Sequence, residues 1–409
     1  MSAPTPPVRE RLLALTGDEL PAYLYDLDAL RAHAAAVRAA LPRGVELYYA
    51  AKANPEPALL AALSPAVDGY EVASGGELAH VAAAVPGRPL AFGGPGKTPA
   101  ELTAALEGVA AGAPLPRFHV ESVHELRVLA ALAARLPAGV RVPVLTRFNL
   151  VPGPGALAGG SLTMGGGPGP FGIDPAEADA VLRALGDGTF PRLEWYGTHA
   201  HLASGLEAPA LAAVADGVVR WSAALAARHR VPLREVNVGG GMAVDYARPA
   251  ARFDWTGYGA ALAALLAARP GLTLRVEPGR ALTAYCGWYG TEVLDVKHSH
   301  GEEFAVVRGG THHLRTPATK GHDQPCAVVS VDGWPHPWPR PFARGPRTTL
   351  VGQLCTPKDV LARGARTPGL RAGDRVAFAL AGAYAWNISH HEFLMHPRPG
   401  FHFLDSAVR

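Results

Sequence analysis

VELYYAAKAN (45–54) runs from a β-branched and aromatic stretch into a lysine, and PEPALLAAL (55–63) behind it has helical spacing. The same couplet recurs along the chain. GYEVA (69–73) precedes GGELAHVAAAV (75–85), PLAFG (89–93) precedes TPAELTAALEGV (98–109), and RFHVE (117–121) precedes VHELRVLAALAARL (123–136). RVPVLTRF (141–148), LEWYGTHA (193–200), EVNVG (235–239) and LTLRVE (272–277) continue the series. Eight strand–helix units in succession predict an α/β protein built on a (β/α)8 TIM barrel over residues 30–280. Pro, Ser, Thr or Asp near the starts of the longer helical segments agree with helix entries.

After residue 280 the texture changes. TEVLDVK (291–297), FAVVRGG (304–310), CAVVSVDG (326–333), RTTLVGQLC (347–355) and RVAFALAGAY (375–384) are strand-like and divided by Gly, Pro and Asp turns. They predict a C-terminal β-sandwich or β-barrel domain over 281–409. AYLYDLD (22–28) is a further strand that returns residues 1–29 to that domain. The Pro/Gly-dense stretch 151–171 is long for a βα loop and is expected to be a lid or mobile segment.

The 409 residues carry a formal net charge of +3 with no dense Lys/Arg run, so no nucleic-acid groove is expected. No stretch of about 18 uncharged apolar residues suggests a membrane span. The N-terminal MSAPTPPVRERLLAL lacks the layout of a signal peptide. Cys286, Cys326 and Cys355 are widely spaced and odd in number, which argues against a disulfide framework. A reducing cytoplasm is the expected location.

Only five lysines occur: Lys52, Lys97, Lys297, Lys320 and Lys358. Lys52 falls at the C-terminal end of the first barrel strand, where catalytic groups of such barrels sit. Its apolar flanks are expected to strip hydration, lower its pKa and suit it to a Schiff base; a lysine at a strand end is otherwise a solvated charge. The seventh strand ends in Gly239-Gly240-Gly241 and the eighth in Glu277-Pro278-Gly279-Arg280. Together they offer bare backbone N–H groups and a guanidinium to a phosphate, although a triple glycine alone is commonly just a turn. Glu277 could keep a pyridine nitrogen protonated, or merely pair with Arg280. The sixth strand ends in His199-Ala200-His201-Leu202-Ala203-Ser204, with both histidines facing the barrel axis. No third ligand lies nearby in sequence, so no metal is expected; an imidazole stacked on a flat cofactor, with Ser204 on phosphate, is preferred over a polar core.

YAAKAN (49–54), YEVASGGEL (70–78), HAHLASG (199–205), NVGGG (237–241), EPGR (277–280), GQLCTPKD (352–359) and GAY (382–384) occur in the order found in fold-type III pyridoxal-phosphate decarboxylases. From about residue 20 to 400 the chain resembles this group, which includes ornithine and diaminopimelate decarboxylases and has an alanine racemase-like barrel. The resemblance implies that pyridoxal 5'-phosphate is bound covalently by Lys52, that His201 stacks on its ring, and that Glu277 meets its ring nitrogen. It implies that Ser204, Gly240, Gly241, Arg280 and Tyr384 hold the phosphate, and that Cys355 returns a proton to the carbon that loses CO2. In that group the cysteine comes from the partner subunit, so a homodimer is implied.

The sequence departs from the diaminopimelate pattern at Cys355-Thr356-Pro357-Lys358-Asp359, where an acidic residue normally follows the cysteine. With GGTHHLRTPA (309–318) and AWNISHHEFLMHPRP (385–399), it is more similar to the branch that decarboxylates citryl-diaminopropionate in siderophore assembly. His312, His313, Arg315, Lys358 and Asp359 are then expected near a carboxylate-rich substrate, the cations pairing with its carboxylates, although some could be solvated surface charges. The rival readings are diaminopimelate decarboxylation, racemisation, and a non-catalytic homologue that binds a partner. Alanine racemases carry an Arg in place of Glu277 and a Tyr in place of Cys355. Intact Lys52 and Cys355 speak against the binding protein.

Overall fold

The barrel strands are buried at almost every position rather than at alternate ones, as parallel strands covered on both faces require. The computed structural model describes residues 3–114, 117–152, 162–317 and 321–408. In chain order its strands are β1 (Ala22–Asp26), β2 (Val45–Ala50), β3 (Gly69–Val72), β4 (Leu90–Phe92), β5 (Arg117–Val120) and β6 (Val142–Arg147). The two-residue β7 (Leu162–Thr163), β8 (Leu193–His199), the two-residue β9 (Ala203–Ser204), β10 (Glu235–Asn237) and β11 (Thr273–Val276) follow. The remainder are β12 (Gly287–Ser299), β13 (Glu302–Val307), β14 (Cys326–Val329), β15 (Arg347–Val351), β16 (Val360–Arg366), β17 (Arg375–Phe378) and β18 (Gly400–Leu404).

Strands β10-β11-β2-β3-β4-β5-β6-β8 close into a parallel barrel, so all eight expected barrel strands form. Helix entries between them are written locally. Ser74 accepts the Glu77 N–H, Ser122 accepts the Glu125 N–H, and Thr98 with Glu101 forms a reciprocal capping box. Each such cap is worth about 1 kcal/mol. Among the described residues one helix, Ala208–His229, is long and apolar enough to cross a membrane. Its buried side carries Leu211, Val214, Val218 and Leu225, and it packs on the helices Ala178–Gly186 and Trp255–Ala267 as barrel wall. Inside the barrel, fully buried Arg275 ion-pairs with Glu46 at 2.6 Å and Glu235 at 2.9 Å, cross-linking β2, β10 and β11.

The barrel unit comprises residues 33–243 and 253–281; a second unit comprises 1–32, 244–252 and 282–409. The short segment 244–252 thus groups with the second unit, a detail that a barrel drawn as 30–280 does not contain. The second unit holds one mixed eight-stranded sheet in the order β14-β17-β12-β13-β15-β16, with β1 beside β12 and β18 beside β1. The first half of β12 pairs with β1 and β17; beyond an irregularity between Val293 and Asp295 its second half pairs with β13. A bulge of this kind bends a long strand, letting one segment serve two parts of a sheet. β1 joins this sheet as its sequence led us to expect, whereas β16 and β18 lie outside the strand segments singled out in the sequence. Of the expected 151–171 lid, residues 153–161 fall outside the described residues.

Candidate active site

Lys52 lies in a single turn of 3-10 helix, Ala51–Ala53, directly after β2. Its Nζ donates to both Glu71 oxygens, at 3.0 and 2.7 Å. The environment differs from the apolar one expected. Ala51 and Ala53 are buried, but the Lys52 side chain is 45% exposed and its amine rests on a carboxylate. Glu71 was not legible as a partner because it belongs to the next strand.

At the ends of β8 and β10 the chain is drawn tightly together. The Gly240 N–H donates to His201 Nδ1 at 3.0 Å, leaving Nε2 to carry the ring hydrogen toward Ser204 Oγ at 3.5 Å. Burial, aided by the charges of Lys52 and Arg147, lowers His201 to about 3, so the ring is a flat neutral imidazole. The glycines are required by this packing itself. A Cβ on Gly240 would lie 2.4 Å from the Glu277 carbonyl oxygen, and one on Gly241 (φ +99°) 2.1 Å from that of Ala203. Gly241→Ala is therefore expected to destabilise the protein by about 1–3 kcal/mol through backbone strain alone, read as a lower urea midpoint at unchanged slope. An unchanged midpoint would contradict this account. Arg280 begins the short helix Arg280–Thr283 that follows β11.

Glu277 is 7% exposed. Burial, and next the charge of Glu71, raise it to about 7. Asn237 Nδ2 donates to Glu277 Oε1 at 2.6 Å. His119 Nε2 lies 3.9 Å from Oε1 and His199 Nε2 lies 3.8 Å from Oε2. His119, His199 and Glu277 thus bring three ligand-type atoms within 4.8 Å of one another. His119 and Glu277 reach His199 from other strands, a grouping that the sequence spacing around His199 does not show. The gap is nevertheless furnished as a hydrogen-bond site: Asn237 Nδ2 is 2.6 Å from Glu277 and 3.4 Å from His119, a donor where a cation would need lone pairs.

Other polar groups of the barrel also escaped sequence reading. Arg147 pairs with Glu121 at 2.7 Å, and Glu121 accepts the Gly94 and Gly172 N–H groups. Lys97 is buried, donating to the Gly94 and His119 carbonyls and pairing with Glu125 at 2.7 Å. These contacts join segments at the ends of β4, β5 and β6, so no local motif announces them.

In the second unit, Cys355 is exposed between β15 and β16, and Lys358 is exposed on the same loop. Asp359 departs from its expected role facing substrate. It is 2% exposed, and its carboxylate accepts the Thr311 N–H (2.6 Å), the Thr311 hydroxyl (2.8 Å) and the Leu354 N–H (2.8 Å). It clamps segment 309–314 to segment 352–359. His312 and His313 also depart from expectation. Both are buried, and burial lowers them to about 4 and 3, so neither is a cation near neutral pH. Tyr289 and His313 Nδ1 share a hydrogen bond at 3.1 Å. Arg315 is exposed, with its N–H on Ser389 Oγ. Tyr384 has φ +49°, an uncommon left-handed conformation for a bulky residue, and its carbonyl accepts the Thr316 hydroxyl at 2.7 Å.

The barrel mouth therefore offers an amine on a carboxylate, a neutral flat imidazole, close-packed glycines and a buried carboxylate whose proton affinity lies near neutrality. This donor set fits a flat, anionic heteroaromatic aldehyde better than a metal ion. Residues 27–284 match the family described as "Pyridoxal-dependent decarboxylase, pyridoxal binding domain". The chain is 38% identical over 386 residues to the 2-[(L-alanin-3-ylcarbamoyl)methyl]-2-hydroxybutanedioate decarboxylase of Staphylococcus aureus, covering 93% of each. It is 29% identical to the diaminopimelate decarboxylase of Bacteroides thetaiotaomicron, covering 90% of this chain and 91% of that one. Diaminopimelate decarboxylase from Helicobacter pylori complexed with L-lysine shares the fold, with a TM-score of 0.81 at 24% identity over 97% of this chain and 94% of that one. Barrel, site chemistry and sequence agree: the chain belongs to the pyridoxal-dependent decarboxylases.

Proposed function

We propose that this protein removes the α-carboxylate of an amino acid whose far end carries further carboxylates, of the 2-[(L-alanin-3-ylcarbamoyl)methyl]-2-hydroxybutanedioate class, in siderophore biosynthesis. The observation that carries the reading is the 38% identity to the Staphylococcus aureus enzyme across 93% of both chains. That compound has an α-amino acid end joined through an amide to a hydroxybutanedioate bearing two carboxylates. Exposed Arg315 and Lys358 are the cations of the second unit suited to such a tail, because His312 and His313 are neutral.

When bound, pyridoxal phosphate supplies the electron sink for the bond that breaks to release CO2. Lys52 supplies the amine that holds it, and Glu71 Oε2, 2.7 Å away, is the acceptor for the proton Lys52 must lose to become nucleophilic. His201 presents the ring that flanks it. Ser204, Gly240, Gly241, Arg280 and Tyr384 are the phosphate-binding set. Glu277 holds the proton at the ring nitrogen. Cys355 of a second copy of the chain gives its thiol proton to the substrate carbon, so the working unit is a homodimer. Three free cysteines, two of them buried, suit a reducing compartment such as the cytoplasm.

Incubation with this amide, with meso-diaminopimelate and with ornithine, measuring CO2, tests the substrate. Turnover of the amide at least ~100-fold above the other two in kcat/KM is expected, because an analogue without the matching carboxylates leaves polar groups of the site unpaired. Turnover of diaminopimelate alone would overturn the reading in favour of the lysine-forming activity.

A further inference from the structure

His119 and His199 are buried histidines that the mechanism above does not use. Their ring centroids are 4.4 Å apart, and each points one Nε2 at a different oxygen of Glu277. Burial lowers both well below the usual imidazole range, so both are neutral and each carries a single ring hydrogen. Register explains the convergence. Asn237 on β10 pairs with His199 on β8 and with Arg275 on β11, which leads into Glu277; His119 comes from β5.

The hydrogen bonds fix where those hydrogens lie. Asn237 Oδ1 accepts the Gly239 N–H at 2.8 Å, so the other side-chain atom is the amide nitrogen. That nitrogen donates to Glu277 Oε1 at 2.6 Å and faces His119 Nε2 at 3.4 Å. With Asn237 donating to it, His119 Nε2 is a lone pair and the ring hydrogen sits on Nδ1. Nδ1 has no acceptor among the described residues, so the contact with Asn237 is kept at the cost of an unpaired N–H, and His119 does not donate to Glu277. Both ring nitrogens of His199 lack a partner among the described residues. With its hydrogen on Nε2, His199 faces the carboxylate at 3.8 Å, and a ring displacement of roughly 0.8 Å closes a hydrogen bond. A buried N–H without an acceptor is costly, so this is the favoured tautomer.

We infer that Asn237 and His199 are positioning residues that keep Glu277 ionised beneath the ring nitrogen, with His119 orienting Asn237. The inference rests on the reading that Glu277 meets that nitrogen. Donors to a carboxylate favour its charged form. They oppose burial and the negative charge of Glu71, acting in the same direction as Arg275 and Lys52, the other charged groups that act on Glu277. The proton then stays on the ring nitrogen instead of returning to Glu277, and the electron sink stays strong.

The test is 15N NMR of the holoenzyme reconstituted with ring-15N pyridoxal phosphate, alongside kcat and KM. Asn237→Ser and His199→Phe should each move the nitrogen signal toward its unprotonated position and lower kcat by ~10-fold at unchanged KM, the loss of one hydrogen bond to a charged group. His199→Gln, which restores an N–H donor, should recover most of the wild-type signal. A variant that takes up coenzyme poorly is read without it, by infrared titration of the protonated carboxyl band that Glu277→Gln removes; that band should persist to higher pH. If Glu277→Gln moves the nitrogen signal while both donor variants leave signal and band unchanged, the positioning role is wrong. If Glu277→Gln itself leaves the nitrogen signal unchanged, the assignment of Glu277 fails instead.

Discussion

Lys52→Ala is expected to yield folded protein that binds pyridoxal phosphate without forming a covalent bond to it, and to lower kcat by ~1000-fold or more. Lys52 is the amine at the end of β2, and its Nζ is held on both oxygens of Glu71. Lys97, the other lysine of the described barrel, is buried and engaged by two carbonyls and Glu125. It cannot substitute without breaking a buried ion pair, a loss on the order of 3–5 kcal/mol. Borohydride reduction of the wild-type holoenzyme followed by peptide mapping should place the label on Lys52. A label on Lys97, or none, would remove the basis for the catalytic scheme. Added methylamine should restore part of the Lys52→Ala activity, because the lost function is that of a small amine.

Cys355→Ala should retain coenzyme absorbance and lose ~100- to 10,000-fold in decarboxylation, the range for a positioned proton donor. The side chain is exposed in the single chain, so its removal leaves no core cavity, and unchanged thermal stability is part of the expectation. Mixing Lys52→Ala with Cys355→Ala subunits tests the shared-site arrangement. Random exchange in a two-fold dimer leaves one intact site in half of the molecules, hence about a quarter of wild-type activity. Recovery to that level supports donation from the second copy. Activity no greater than the mean of the two parents means that Lys52 and Cys355 act within one chain.

Much of the architecture is readable from one strand of letters because barrel units are local. Hydrophobic runs of strand length, Ala/Leu helices and caps such as Ser74, Thr98 and Ser122 each act within a few residues, and repetition eight times leaves few other folds. The strand-end positions of Lys52, His201, the triple glycine and Glu277 are legible for the same reason: strand ends can be counted along the chain, and barrel enzymes place chemistry there. Burial and ionisation are not local. Glu71 beneath Lys52, Asn237 and the two histidines around Glu277, and the Glu121–Arg147 pair come from different strands, brought level only by register. The same holds for Asp359, whose sequence neighbours suggest a substrate ligand but whose carboxylate is consumed by Thr311 and Leu354, and for His312 and His313, which the fold buries and so leaves uncharged. Short-range patterns choose the chain's path, whereas the charge a side chain carries depends on which distant dipoles and carboxylates surround it and on how much water is excluded. Those conditions come into being only when the sheets close.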